Sequence, residues 1–370
     1  NMKRNVLIVY PGINLHNQAQ AGGLEHLLSN VQGYASNNCR TFIICAYNNK
    51  ILHKDKSGNI YFNIIYSRSS VYSGIAESTK KSTKANNLLF YLIKKIIDYI
   101  YQVIVLILVL LLNIKILHER STIRFSYIYL IKKFHKNIKY VYEINDESYN
   151  KPSVVNADLT LVVDKQYYPS SGNYFVSPWP VSFQIANLPD NSKKKYRIVY
   201  LGSALAWHDF EYMVRIVNTL GDQWKIDVYA PEESRDIVEK YSKKLCFCGF
   251  VSNDNISKEL SKYKFGFALY GHNYGSKRNK VGSPMKVIHY LINDVIPIVN
   301  IVSDKNLKNK FPNIIDTSNM DVTDIVKEIN LLRSNHEETS EHNKQYLVDM
   351  YSPENYYKKV LGILFKMNNV

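Results

Sequence analysis

The chain is 370 residues long, 46% hydrophobic and 21% charged, a composition that excludes a disordered chain and suits two α/β domains better than one. Its formal net charge of +15 favours polyanionic partners: nucleic acid, acidic lipid headgroups or phosphorylated substrates. Four cysteines are too few to staple a chain of this length, which excludes a disulfide scaffold.

Met2 is followed by Lys3, Arg4 and Asn5 and then VLIVY (6–10), only a strand's worth of apolar residues. No secretory leader is read there, and a reducing cytoplasm is the expected compartment. VLIVY predicts a strand covered on both faces. A helix is expected from about Gly23 to Ala35, then strands at TFIICAY (41–47) and NIYFNIIYS (59–67). Residues 68–87 are Ser- and Lys-rich and read as a mobile loop. The next stretch, 89–112, begins amphipathic, with Lys94, Lys95, Asp98 and Gln102 on one helical face, and ends in the apolar run Val103–Leu112. That run is too short to span a bilayer. It reads as a buried helix or, in the alternative, as a helix lying in an anionic membrane interface. Strands follow at 114–120, 140–146 and 157–164.

LPDNSKKK (188–195) is polar, contains Pro189 and reads as a linker within 183–195. A second strand–helix series then begins. Strands are predicted at 196–202, 225–230, 245–251, 265–270 and 295–302, and helices at 210–221 and 284–293. Cys246 and Cys248, in the strand LCFCGFV, are expected on one face as buried apolar thiols; no second Cys/His pair lies near to complete a zinc site. A last helix opens at Pro353. The layout is 1–182 as an N-terminal α/β domain, 183–195 as linker and 196–350 as a C-terminal α/β domain, with 351–370 as a helix expected to return to the first domain. Such alternation builds parallel sheets whose ligands sit at the carboxyl ends of strands.

Three stretches carry candidate chemistry. Gly22 and Gly23 open a helix after the first strand, where backbone amides and the helix dipole can meet an anion or simply make a turn. They do not form the G-x-G-x-x-G of a dinucleotide site. Gly202, Ser203 and His208 repeat the device after the first strand of the second domain, and the histidine reads equally as a helix-start residue without a ligand. Gly282-Ser283-Pro284-Met285-Lys286 is the most informative. A lysine in a helix's first turn opposes the dipole unless an anion lies there too. The preceding loop YGSKRNK (274–280) is basic and can close over a diphosphate, or be a solvated charge run.

YLGSALAWHDFEYMV (200–214), FGFALY (265–270) and GSPMKVIHYLINDVIPIV (282–299), in this order and spacing, resemble the donor half of retaining GT-B glycosyltransferases. These belong to the large bacterial polysaccharide and lipopolysaccharide family (group 1, family 4-like). VLIVYPG (6–12), AGGLEHLLSNVQGYA (21–35), HER (118–120) and YEIND (142–146) resemble its acceptor half. The resemblance implies an α/β GT-B fold with two Rossmann-like domains facing each other across a cleft. It implies diphosphate at Gly202, Ser203 and His208, where many members have Arg and Lys at the latter two. Donor phosphate and nucleoside fall at Gly282, Ser283 and Lys286, and a sugar pocket shaped beyond Tyr270. Two family glutamates, one for the donor sugar and one for the ribose, correspond here to Val281 and His289. An imidazole can still bond a ribose hydroxyl.

No D-x-D signature is present, so a metal-independent hexosyltransferase-like enzyme without a cofactor is expected, Lys286, His208 and the Gly22 and Gly23 amides steadying the leaving group. Asp146, Glu143, Glu119, His118 and His16 lie near strand ends of the first domain. Each is a candidate to orient or deprotonate an acceptor, Asp146 first. In the plainer reading Asp146 caps a helix and Glu119 pairs with Arg120 or Arg124. The expected partners are a nucleotide sugar and a glycan or lipid-linked glycan acceptor in surface polysaccharide, capsule or lipopolysaccharide synthesis. The expected place is the cytoplasm, peripheral on the inner membrane face through 89–112. The alternatives are a GT-B-like partner subunit with an eroded donor site and a nucleotide-sugar epimerase. Nucleic-acid binding is not expected, because the lysines are scattered and no recognition motif appears.

Overall fold

Parallel β-sheets covered by helices account for the apolar strand runs. In this computed structural model the described residues are 3–14, 21–46, 52–63, 84–120, 128–144, 151–162, 172–177, 179–182, 196–204, 208–241, 243–271, 285–300, 305–335 and 341–365. They fall into two compact units. One comprises Asn1–Asn17, Asn30–Ser177 and Tyr357–Val370; the other comprises Gln18–Ser29 and Pro178–Tyr356. Of the loop expected at 68–87, residues 68–83 lie outside the described residues and 84–87 are helical instead, opening the long helix that ends at Leu111; the linker at 183–195 and the basic loop at 274–280 also lie outside the described residues.

The first unit holds strands β1 (Arg4–Asn14), β2 (Cys39–Ala46), β3 (Leu52–Lys54), β4 (Ile60–Asn63), β5 (Ile116–Glu119), β6 (Lys139–Ile144), β7 (Leu159–Val162) and β8 (Tyr174–Val176). Their order in the sheet is β3-β4-β2-β1-β5-β6-β7-β8. All neighbours are parallel except β3 with β4. Helix α1 (Ala21–Ser36) links β1 to β2, and α2 (Lys84–Leu111) links β4 to β5. Helices α3 (Ile128–Phe134) and α4 (Lys151–Asn156) follow in the same series. The chain runs outward from β1 in one direction, then returns through α2 to β5 on β1's other side. Strand order therefore reverses between β1 and β5, the place where open α/β sheets bind ligands.

Side-chain alternation divides this sheet into two faces. Leu7 and Val9 of β1, Leu117 of β5 and Tyr140, Tyr142 and Ile144 of β6 pack with Tyr101, Val105 and Val109 of α2. Only part of α2 is buried, however. Val103, Ile107, Leu110 and Leu111, all within the run expected to be buried, are exposed, because a helix lying on a sheet buries one stripe and not its whole circumference. Among the described residues no helix is long and apolar enough to cross a membrane.

The second unit holds β9 (Arg197–Leu201), β10 (Lys225–Tyr229), β11 (Leu245–Gly249), β12 (Phe265–Ala268), β13 (Ile296–Val299) and β14 (Ile315–Asp316). They form an all-parallel sheet in the order β11-β10-β9-β12-β13-β14. Between them come α5 (Phe210–Leu220), α6 (Arg235–Glu239), α7 (Asn253–Leu260) and α8 (Met285–Ile292). Then follow α9 (Lys305–Lys310), α10 (Val322–Asn335), α11 (Glu341–Tyr351) and α12 (Pro353–Phe365), the last belonging to the first unit from Tyr357 onward. Helix α5 shows why the pattern was legible. The Asp209 side chain accepts from the Tyr212 amide, Gly221 ends the helix at φ 122, and Phe210, Met213, Ile216 and Val217 are buried along one stripe. Strand order here reverses between β9 and β12. Cys246 is half-buried and Cys248 exposed, neither buried as expected, because β11 is an edge strand with one flank open.

Candidate functional site

The reversal point of the second sheet gathers five of the sequence candidates. β9 ends at Leu201, and Gly202 turns the chain away in the left-handed region at φ 113, a conformation that favours glycine. Its amide donates to the Tyr229 carbonyl at 2.9 Å. A Cβ placed there would lie 3.6 Å from the Lys286 ammonium, an ordinary contact, so the backbone conformation and not space for the lysine is what favours glycine.

Lys286 stands in the first turn of α8, with its ammonium 4.2 Å from the centroid of the Tyr200 ring and 5.9 Å from that of Tyr270. The ring quadrupoles attract the cation; the helix dipole and burial oppose it. Burial dominates and pushes the ammonium down to about 7. A dianion placed against it would restore its proton.

Around this lysine the other candidates are positioned by short local devices. The Tyr200 hydroxyl donates to the Ser203 carbonyl at 2.9 Å, and the Ala204 amide donates to Ser234 Oγ at 2.8 Å. His208 forms an antiparallel bridge with Tyr270, and its ring lies 5.2 Å from that of Tyr270. Burial and the Lys286 charge push its imidazole well below the usual range, so it is neutral at physiological pH. The Asn300 side chain clamps Tyr270, donating to its carbonyl at 2.7 Å and accepting from its amide at 3.1 Å. Gly202, Ser203, His208, Tyr270 and Lys286 therefore form one cluster; Gly282 and Ser283 lie outside the described residues.

One turn further along α8, buried His289 meets a residue the sequence analysis had not singled out. Its Nε2 lies 2.5 Å from Glu25 Oε1, and its Nδ1 has no partner among the described residues. Gly22 and Gly23 sit in the first turn of the same helix, α1. The two partners are 264 residues apart, so no spacing in the chain points to the pair. Tyr200 and Asn300 were missed for the same reason.

In the first unit, the candidates separate by strand parity. His118 and Glu119 are consecutive on β5 and point to opposite faces. His118 Nε2 lies 3.1 Å from Glu143 Oε2, and its Nδ1 lies 3.3 Å from the Tyr34 hydroxyl. Glu143 also accepts from Asn30 Nδ2 and from the Tyr10 hydroxyl, each at 3.1 Å, and Arg120 Nε lies 3.2 Å from it. Arg120 in turn bonds Tyr10. Glu119 accepts from the Tyr140 hydroxyl at 2.5 Å on the other face, and does not pair with Arg120. Burial of Tyr140 and the Glu119 charge beside it hold that phenol protonated. All three candidates are buried and bonded. Asp146 and His16 lie outside the described residues. No group of three or more potential metal-ligating His, Cys, Asp or Glu side chains occurs among the described residues.

No protein-family model and no curated protein matches the chain. Solved structures do. A glycosyltransferase from Rickettsia africae ESF-5 superposes with a TM-score of 0.62 at 13% identity, covering 99% of this chain and 100% of its own. The apo lipopolysaccharide outer core galactosyltransferase WaaB gives 0.58 at 13% identity, covering 98% and 99%. HepE from Anabaena, in complex with UDP-glucose, gives 0.63 at 8% identity, covering 98% and 100%. At such identities the likeness establishes the fold: two parallel-sheet α/β domains of the GT-B type.

Proposed function

We propose that this chain is a glycosyltransferase that moves a sugar from a nucleotide-diphosphate donor to a glycan or lipid-linked acceptor in bacterial surface polysaccharide synthesis. The observation that carries the reading is Lys286. Its ammonium is held in the first turn of α8 beside side-chain-free Gly202 and over Tyr200, at the strand-order reversal of its sheet. A cation kept against both burial and a helix dipole suits a pyrophosphate. The UDP-glucose complex of HepE and the lipopolysaccharide role in the name of WaaB support the donor and acceptor classes.

In the proposed reaction the bond between the anomeric carbon and the β-phosphate oxygen breaks, and the nucleoside diphosphate leaves with the electron pair. A bond to the acceptor oxygen forms, and the acceptor's proton passes to a base, for which Asp146 is the candidate. Lys286, the α8 N-terminus with Gly282 and Ser283, and the amides of Gly202 and Ser203 stabilise the leaving charge; His208 and Tyr270 wall the sugar side. Gly22 and Gly23 present the amides of α1 to the same diphosphate. Glu25 fixes His289 for the nucleoside. His118, Glu119 and Glu143 act by positioning. With the diphosphate neutralised by protein cations and helix amides, the proposed reaction is metal-independent, and by resemblance it retains anomeric configuration.

The test is titration with UDP, GDP and the corresponding nucleosides, then a hydrolysis assay with a panel of nucleotide sugars with and without EDTA. Diphosphates binding at least tenfold more tightly than nucleosides, with EDTA-insensitive turnover, is the expected result. The replacement of both expected glutamates by Val281 and His289 favours a second reading, a donor-site relic acting as a partner subunit. That reading predicts no nucleotide binding at all.

A further inference from the structure

We infer that the outer face of the α2–α4 helix layer of the first unit docks on an anionic lipid surface. Ile96, Tyr99, Ile100, Val103, Ile107 and Leu110 of α2 are all exposed, Tyr99 to 67%, and Leu111 at the helix end is exposed to 76%. Their spacing follows the helical repeat, so they form one stripe opposite the buried stripe of Tyr101, Val105 and Val109. The stripe runs about 22 Å along the helix at 1.5 Å per residue. A helix with one apolar stripe in a core and another in water is unsatisfied on its second side.

The neighbouring helices extend the pattern. Ile128 and Ile131 of α3 and Val154 of α4 pack into the same core cluster as the buried side of α2, so all three helices cover one face of the sheet. On α3, Phe134 is 65% exposed, and on α4, Val155 is 75% exposed. Phe134 is flanked by exposed Lys133 and Lys136.

Charge selects the occupant. Beside the stripe the exposed charges are Lys133 and Lys136, whereas Lys132 and Lys139 pair with Asp158 and Arg120 with Glu143; Glu119, the one acidic residue between Asp98 and Glu143, is buried. A second copy of this chain would bring two basic surfaces together. An anionic bilayer supplies both partners at once: acyl chains for the stripe and headgroups for the lysines. Since no helix among the described residues is long enough to cross a membrane, α2 would lie in the plane of the interface.

This inference does not depend on the donor site, and the experiment keeps the two apart. The full chain is co-sedimented with vesicles of phosphatidylcholine alone or mixed equally with phosphatidylglycerol, at 50 and 500 mM salt. Sedimentation velocity and UDP titration are run in parallel. The expected result is binding to the anionic vesicles that falls steeply with salt. Ile100→Ser/Ile107→Ser and Lys133→Gln/Lys136→Gln should each weaken it at least tenfold, the lysine pair by about 25-fold at about fivefold per charge. Both variants should keep UDP binding, and Lys286→Met should keep vesicle binding. Absence of binding to anionic vesicles, or binding unaffected by both variants, overturns the inference. Concentration-dependent dimerisation abolished by the isoleucine changes, without vesicle binding, would assign the stripe to a second copy instead and overturn it equally.

Discussion

Replacing Lys286 by methionine should make the unliganded protein more stable while removing its grip on a diphosphate. In an unfolded chain a lysine titrates near 10.4; in the folded protein burial brings Lys286 to about 7. Between those values the unfolded chain holds a proton that the folded chain lacks, so unfolding takes up protons and stability rises with pH. Below pH 7 both states are protonated and the full cost of charging a buried amine is present. At about 1.4 kcal/mol per pH unit the span amounts to about 5 kcal/mol. Lys286 is only half-buried, and solvent screening together with the Tyr200 ring beneath the ammonium reduces this to about 2 kcal/mol. The Lys286→Met protein should therefore be about 2 kcal/mol more stable at pH 6.5, with the difference closing as pH approaches 10.

Nucleotide linkage supplies the second half of the prediction. A bound diphosphate draws the proton back onto Lys286, so UDP binding to the native protein should take up protons, and increasingly so as pH rises above 7. Affinity should fall towards a limit of tenfold per pH unit above pH 7. Urea unfolding across pH 6–10, with and without 1 mM UDP, and calorimetry in buffers of different ionisation enthalpy, measure both effects. A Lys286→Met protein that is less stable at every pH, or that binds UDP like the native chain, refutes the reasoning.

Other substitutions probe other parts of the structure. Gly266→Ala on β12 should cost about 1–3 kcal/mol, because a Cβ there would meet the Tyr290 ring at 2.8 Å. That ring is pinned by its hydroxyl, which donates to the Phe267 carbonyl and accepts from the Leu201 amide. The cost should shrink in a Tyr290→Ala background, which a double-mutant cycle reads directly. Glu25→Ala, which strips buried His289 of its carboxylate, should cost about 1–3 kcal/mol, and Glu25→Gln less, since it keeps an acceptor oxygen; denaturant midpoints measure both. Glu143→Leu should destabilise by about 3–5 kcal/mol by removing the buried carboxylate that Arg120, His118, Asn30 and Tyr10 share; a loss below 1 kcal/mol would show that the network is not holding the first sheet's carboxyl end.

By itself the sequence determined the local grammar. Apolar runs such as VLIVY and FGFALY became parallel strands, and the helix expected at 210–221 formed and ended at Gly221. These are decisions made by residues within a few positions of each other, through backbone preference and periodicity. Tertiary structure decided the rest. Strand parity put His118 and Glu143 on one face of the sheet and Glu119 on the other. Packing against a flat sheet buried only one stripe of a helix apolar all round, leaving Leu111 and its neighbours exposed. Chain return set Glu25 against His289 and Tyr200 beneath Lys286. Such pairings depend on which distant strands and helices become neighbours, and neither hydrophobic period nor motif spacing encodes that, because each describes one element and a contact belongs to two.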